Sequence, residues 1–167
     1  SVRRQAGNGL ILIRIMIAII AEKPSVGQEI ARVVGATEKK DGYITGNGYM
    51  VTWALGHLVS LALPGTYGYT RTTAEDLPML PEPFRLVERQ IRTDRGMVTD
   101  IAAGRQLKVI DGVFSECDSI IVATDAGREG ELIFRWIYSH LGCTKLFKRL
   151  WFSSLTDESI RKGMADL

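Results

Sequence analysis

The stretch Ile15–Ala21 reads IMIAIIA and runs directly into Glu22–Ser25, which reads EKPS. A continuous apolar run of this length, rich in β-branched residues and without polar alternation, predicts a strand buried on both faces, as in a parallel sheet. After it, Ser25 and Gln28 fit a capping box, and Gly35 stands where a glycine ends a helix. The pattern predicts a strand–turn–helix unit.

The same pattern returns in the second half of the chain. Ser119–Ala123 predicts another buried strand, Thr124–Gly130 a polar turn, and Leu132–Leu141 a helix that ends at Gly142. A short run over Lys148–Phe152 predicts a third strand. Two such units predict an α/β fold of Rossmann-like type, with a mostly parallel central sheet flanked by helices.

The segment between the two units does not repeat the strand–turn–helix pattern. The turn dipeptide Asn47-Gly48 lies between two strand-like runs and predicts a β-hairpin, which we expect as an insertion. Prolines concentrated in residues 64–83 predict an extended surface loop. Farther on, Arg85, Arg89 and Arg92 follow a helical spacing of four and three residues, which is compatible with a basic helix face.

Composition bounds the class of protein. The 167 residues include 46% hydrophobic residues and carry a formal net charge of +2, which describes an ordinary globular domain and excludes a disordered or collagen-like chain. Only two cysteines and two histidines are present, so a disulfide scaffold and a zinc cluster based on cysteine or histidine are excluded. A reducing, cytoplasmic compartment is the default expectation.

The two ends of the chain predict its domain organisation. The apolar run Leu10–Ala21 contains Arg14 and is too short to span a bilayer, and no signal-peptide cleavage site follows it. We therefore expect no membrane association, and residues 1–15 as an N-terminal extension outside the functional domain. The domain itself is expected over 16–155. Residues 156–167 begin a helix with little room to continue, which predicts the truncated start of a following domain.

Acidic residues follow both predicted strands. In open α/β sheets ligands bind beyond the carboxyl ends of the strands, so Glu22, Asp125 and Glu129 are expected to converge there. Converging carboxylates need a cation, and oxygen ligands favour Mg²⁺. Lys23 and Arg128 would supply positive charge for a phosphate. An alternative stays open, in which the acids only cap a helix or form surface ion pairs.

Four motifs in this order carry a family resemblance. Glu22–Ser25 (EKPS), Gly56–Leu58 (GHL), Thr124–Glu131 (TDAGREGE) and Ser153–Thr156 (SSLT) are similar to the N-terminal TOPRIM domain of type IA DNA topoisomerases, topoisomerase III branch. The resemblance extends from about residue 16 to the end of the chain. It implies a Rossmann-like TOPRIM fold, bound Mg²⁺, and a single-stranded region of a DNA duplex as substrate.

The resemblance also implies roles for individual residues. By it, Glu22 and Lys23 lie near the scissile phosphate, Asp125 and Glu129 bind metal with Glu22, Arg128 faces a phosphate, and His57 contacts DNA with Lys23 and Arg128. The family's second aspartate is Gly127 here, so one metal ion rather than two is expected.

The nucleophile of the family is a tyrosine that comes well after this domain. Tyr69 begins a short match to the nucleophile motif, but it lies in the proline-rich loop, so no nucleophile is expected in this chain and the chain alone is expected to be inactive.

Three other functions remain alternatives at this level. One is another TOPRIM phosphotransfer protein such as a primase or nuclease, although the GHL and SSLT motifs argue against it. A flavodoxin-like receiver domain is the second, and the lone Glu22 followed by Lys23 fits it poorly. The third is a non-catalytic DNA-binding module, for which a net charge of +2 is low.

Overall fold

The computed structural model describes residues 15–69, 71 and 73–167, and within them the centre of the protein is a six-stranded sheet. The remaining strands form two small two-stranded ribbons. In chain order the strands are β1 Ile17–Ala21, β2 Glu38–Lys40, β3 Tyr43–Gly46, β4 Tyr49–Trp53, β5 Val59–Leu61, β6 Leu86–Glu88, β7 Gln90–Thr93, β8 Gly96–Thr99, β9 Ser119–Ala123 and β10 Phe147–Arg149. The helices are α1 Pro24–Val34, α2 Ile101–Glu116, α3 Arg128–His140 and α4 Asp157–Ala165.

The central sheet has the order β10-β9-β1-β4-β3-β2. Strand β1 pairs in parallel with β4 and β9, so that Ala21 is opposite Trp53 on one side and Ala123 on the other, and β10 is parallel to β9. The carboxyl ends of four strands therefore lie along one edge, which we call the carboxyl edge. The predicted α/β fold with a mostly parallel sheet is confirmed.

The predicted hairpin is present, but its description as an insertion is wrong. Strands β3 and β4 pair antiparallel around Asn47-Gly48, and β4 is also the direct neighbour of β1. Val51 and Thr52 are fully buried, so β4 is a strand of the core. The turn signal reveals only the local partner of a strand, and the long-range parallel partner leaves no such local signal.

Both faces of β1 are covered, as its continuous apolar run predicts. Ala18 and Ile20 pack in a cluster with residues of α2 and α3 on one face of the sheet, and Ile19 and Ala21 pack with residues of α1 and α4 on the other. Adjacent side chains of a strand point to opposite faces, so the unbroken apolar run serves two layers of helices. In this three-layer arrangement, the strand that leads to Glu22 is buried on both faces.

Two helix starts differ from the sequence prediction. Helix α1 has Lys23, not Ser25, at its N-cap, because Pro24 occupies the first helical position, for which its fixed φ is suited. Helix α3 begins at Arg128, four residues before the predicted start, so Glu129 lies in a first helical turn rather than in a loop. The predicted end of α1 at Gly35 is confirmed, with φ 81°.

The basic segment is extended, and the helical interpretation of its arginines is wrong. Arg89 lies between β6 and β7, and Arg92 lies in β7, which turns back through Gly96 into β8. Gly96 has φ 107°, a conformation that glycine adopts readily and that reverses the chain here. A spacing of four and three residues between charges does not distinguish a helix face from two short strands.

Candidate functional site

The carboxyl edge brings Glu22 and the acidic turn together. Glu22 follows β1 and Asp125 follows β9, its parallel neighbour. The backbone N–H of Asp125 donates to the Glu22 carboxylate, with 3.1 Å between N and Oε2. Asp125 is exposed and Glu22 is half-buried. Of the acidic residues predicted to converge, Glu22 and Asp125 are thus neighbours at this edge.

Glu129 reaches the opposite side of β1, where it contacts His57. This histidine follows β4, and its Nε2 lies 2.5 Å from Oε1 of Glu129. The Glu129 side chain is 70% exposed, and the imidazole packs beside Trp136, with 5.4 Å between ring centroids. Within the described residues, the buried Nδ1 of His57 has no hydrogen-bond partner. The described polar contact of the imidazole is therefore the one that Nε2 makes with Glu129.

The donor set fits a hydrated magnesium ion. No group of three or more His, Cys, Asp and Glu side chains in the described part of the chain is arranged to hold a metal ion by itself. Glu22 and Asp125 nevertheless lie next to each other at this edge, joined by the hydrogen bond from the Asp125 N–H. Mg²⁺ keeps several waters and takes one or two carboxylates together with substrate phosphates, so an incomplete set of oxygen ligands is suitable for it.

Lys23 and Arg128 stand at two helix N-termini on this edge. Lys23 is the N-cap residue of α1, and Arg128 is the first residue of α3. Both residues are exposed. Among the described side chains, none caps α1 or α3, whereas Asp100 caps α2 and Thr156 caps α4. Uncapped N–H groups at a positive helix end attract anions, so this edge is suited to phosphate.

Two glycines shape the acidic turn in different ways. A Cβ added at Gly130 would lie 2.1 Å from the carbonyl oxygen of Asp125, so only glycine permits α3 to pack this closely on the turn. Gly127 is the N-cap of α3 with φ −79° and ψ 174°, and nothing lies within 4 Å of a Cβ added there. The backbone at Gly127 is therefore extended, a conformation that any residue adopts.

Arg149 is a residue of this site that the sequence gives no reason to select. It extends from β10 and donates to the carbonyl oxygen of Thr124, with 2.8 Å between Nη1 and O. It also forms an ion pair with Glu131 in α3. Hydrogen bonds from Arg135 and Arg149 hold the pKa of the Glu131 carboxyl below its ordinary value. Nothing in the short basic run of β10 identifies this contact.

Arg89 is the second such residue, on the other side of the site. Its Nη1 donates to the carbonyl oxygens of Leu55 and His57 at 2.8 and 3.2 Å, and its guanidinium pairs with Asp100 at 2.7 Å. Arg89 thereby holds the loop that carries His57. The only sequence signal is a basic residue in a basic segment, which does not reveal its partners.

Tyr69, the first residue of the short nucleophile-like match, is partly exposed and lines an apolar cavity of about 170 Å³ with Tyr67, Met79 and Phe84. Thr70 and Thr72 of that match lie outside the described residues, as do residues 1–14 of the expected extension. Within the described ranges, no helix has the length and apolar character that crossing a membrane requires.

Comparison with known proteins agrees with the fold and the motifs. A family model described as the Toprim domain matches residues 17–155. The DNA topoisomerase 3 of Bacillus licheniformis is 44% identical over 153 residues, and that of Bacillus cereus is 47% identical over 154 residues. Each alignment covers 89% of this chain and 20% of the relative. The chain thus spans about a fifth of the length of these relatives.

A solved structure supports the fold alone. Full-length topoisomerase I from Thermotoga maritima superposes with a TM-score of 0.54 at 19% sequence identity, covering 89% of this chain and 20% of that chain. At this identity the likeness concerns the arrangement of strands and helices.

Proposed function

This chain belongs to the Toprim domain family, and we propose that it is the magnesium-binding domain of a type IA DNA topoisomerase of the topoisomerase III branch. The whole enzyme would change DNA topology by transient cleavage of one strand, strand passage and religation. Curated relatives at 44–47% identity support the branch. They also weigh against a primase, a nuclease or a receiver domain.

The observation that supports this function best is the arrangement of residues at the carboxyl edge. Glu22 and Asp125, which follow neighbouring parallel strands, are joined by a hydrogen bond beside two helix N-termini that have no side-chain cap among the described residues. This juxtaposition supports binding of a cation and a phosphate at the same edge. It is the arrangement that phosphoryl transfer through a metal requires.

The side chains take the following roles in this proposal. Lys23 and Arg128 bind the phosphate of the cleaved strand, and the free N–H groups of α1 and α3 orient it. Glu22 and Asp125 would hold Mg²⁺, with Glu129 in the first turn of α3 as the third proposed ligand, and the ion would supply charge stabilisation to the phosphodiester. His57 orients Glu129 through its 2.5 Å contact, and its own contact with DNA stays a prediction.

The chemical step needs a nucleophile from elsewhere in the enzyme. A tyrosine oxygen attacks the phosphorus, the bond from phosphorus to the 3′-oxygen breaks, and the tyrosine proton is transferred to that oxygen. A 5′-phosphotyrosine and a free 3′-hydroxyl result, and the reverse reaction religates the strand. The partners are therefore a single-stranded region of a DNA duplex and the remaining domains of the enzyme.

The proposal also includes a domain division and a location. Residues 16–155 form the Toprim domain, residues 1–15 are an extension, and 156–167 lead into the next domain. Ile160 of α4 is fully buried against the same core, so this lead-in also stabilises the domain. A cytoplasmic location is proposed from the free cysteines Cys117 and Cys143.

A chimera tests the function directly. Residues 16–167 replace the matching fifth of the Bacillus licheniformis DNA topoisomerase 3, and relaxation of negatively supercoiled plasmid is measured with Mg²⁺. We expect the chimera to relax DNA, and Asp125→Asn in it to lower the rate by about a hundredfold or more, because an electrostatic contribution to the transition state is lost.

The matched control in the chimera is Asp111→Asn, which removes an exposed carboxylate from α2. It should leave the rate unchanged. A folded chimera that binds DNA but does not relax it, or equal rates for the two variants, would contradict the proposed function.

A further inference from the structure

Arg149 is held in an unusual position for a cation of an outer strand. Its side chain is only 14% exposed, although β10 is the last strand of the sheet. One arm of the guanidinium donates to the Thr124 carbonyl oxygen, and the other pairs with the Glu131 carboxylate. A single side chain thus joins the end of β9 to the first turns of α3.

The acceptor on β9 is directly next to the proposed metal site. Thr124 precedes Asp125, and its hydroxyl donates to the carbonyl oxygen of Gly130 at 2.8 Å. On the other side of the turn, the Asp125 N–H donates to Glu22. The turn that carries Asp125 is therefore fixed from β1 by Glu22 and from β10 by Arg149.

We propose that Arg149 is a positioning residue, which fixes the backbone at Thr124 and Asp125 and thereby sets the affinity of the carboxyl edge for Mg²⁺. The inference rests on the proposed function for its metal and on the contacts above for its geometry. A planar guanidinium can serve a carbonyl and a carboxylate at once, whereas a lysine ammonium is a compact point charge. Groups that orient metal ligands typically change metal affinity by about 10–100-fold when removed.

The chain contains a matched control. Arg135 pairs with the same Glu131 carboxylate, through Oε1 at 2.6 Å, but from the exposed side of α3, and it makes no described contact with Thr124. Arg135→Met therefore removes the ion pair to Glu131 and a cation–π contact with the Phe147 ring, whose centroid lies 4.8 Å from the guanidinium carbon, and it leaves the anchor of the turn. Arg149→Met removes both the ion pair and the anchor.

The first measurement needs no metal. Amide hydrogen exchange of the 167-residue chain is followed by NMR in the absence of Mg²⁺. We expect faster exchange at Asp125 and its neighbours in Arg149→Met, and wild-type exchange there in Arg135→Met. Equal exchange at Asp125 in the two variants would overturn the proposal.

The second measurement is the Mg²⁺ dissociation constant, from NMR titration of the same proteins with MgCl₂. Arg149→Met should bind roughly tenfold more weakly than wild type, and Arg135→Met within twofold of it. Arg149→Lys keeps the positive charge and is measured as well, in case the methionine variant fails to fold. Its Mg²⁺ dissociation constant should lie between those of Arg149→Met and Arg135→Met. Faster exchange at Asp125 without weaker Mg²⁺ binding would overturn the link to affinity.

The two measurements distinguish a failure of the proposed function from a failure of this inference. If the wild-type chain shows no Mg²⁺-dependent shifts at the carboxyl edge, the metal site is wrong, and the exchange comparison still decides whether Arg149 positions the turn.

Discussion

The family resemblance implies an aspartate at the position of Gly127. This glycine is the N-cap of α3 and leaves open space where a side chain would extend. An aspartate is among the preferred N-cap residues, so the substitution is compatible with the backbone. A third carboxylate would also be brought close to Asp125 and Glu129.

We predict that Gly127→Asp tightens Mg²⁺ binding several-fold, by on the order of 1 kcal/mol, because it adds a negative charge within a partly solvated site. Calorimetric titration of the wild type and the variant measures the change. Equal affinities for two folded proteins would mean that the new carboxylate caps α3 and does not face the ion.

Single residues of the site were predictable to different degrees. Glu22 and Asp125 could be predicted to meet because both follow buried strands, and parallel strands present their ends at one edge. The contact of His57 with Glu129 could not be predicted, because 72 residues separate them in the sequence. The position of β4 beside β1 also has no local signature in the sequence. Arg149 and Arg89 were missed because their acceptors are backbone carbonyls, which any residue provides.

Among the elements, the two small ribbons β5-β6 and β7-β8 are tied to the site through Arg89 and Asp100. Asp100 caps α2 by accepting from the N–H groups of Ala102 and Ala103, and it receives the Arg89 guanidinium. The hydrogen bond from Arg89 is the main cause that holds the pKa of Asp100 below its ordinary value. The ion pair thus connects a helix start to the loop of His57.

We predict that Arg89→Ala raises the pKa of Asp100 toward its ordinary value of about 3.9. A carboxyl with a lowered pKa stabilises the fold fully above the unfolded-state value and loses that contribution as the pH falls through the folded-state value. The variant should therefore show a smaller loss of stability than the wild type on acidification below about pH 4.

Carboxyl NMR titration of Asp100, together with urea unfolding at several pH values, checks this expectation. Arg92→Ala, which changes an exposed arginine of β7, is the control and should leave the Asp100 titration unchanged. An unaltered Asp100 pKa in Arg89→Ala would contradict the assigned cause.

Strands and helix ends that have a clear local sequence pattern were predicted well. The buried strands β1 and β9 and the end of α1 follow from apolar runs and a terminal glycine, which are local properties. The short strands β6, which is half-buried, and β7 and β8, which are mostly exposed, were missed because their alternation is weak.

For the whole molecule, the chain spans a fifth of the relatives that it matches. We predict that the 167-residue chain neither relaxes supercoiled DNA nor forms a covalent DNA adduct, because its only nucleophile-like match begins at Tyr69 in a proline-rich loop. A radiolabelled single-strand cleavage assay measures the adduct. An adduct that Tyr69→Phe abolishes would show that the nucleophile lies in this chain.

The proposed magnesium site is tested most directly by NMR titration of the isotopically labelled 167-residue chain with Mg²⁺. We expect shifts at residues 22–23 and 125–129, and binding about tenfold weaker or more in Asp125→Asn, since one charge 4 Å from a divalent ion contributes about 2 kcal/mol in water. Asp111→Asn should bind as the wild type does. Shifts confined to other parts of the chain, or equal affinities for the two variants, would contradict a magnesium site at the carboxyl edge.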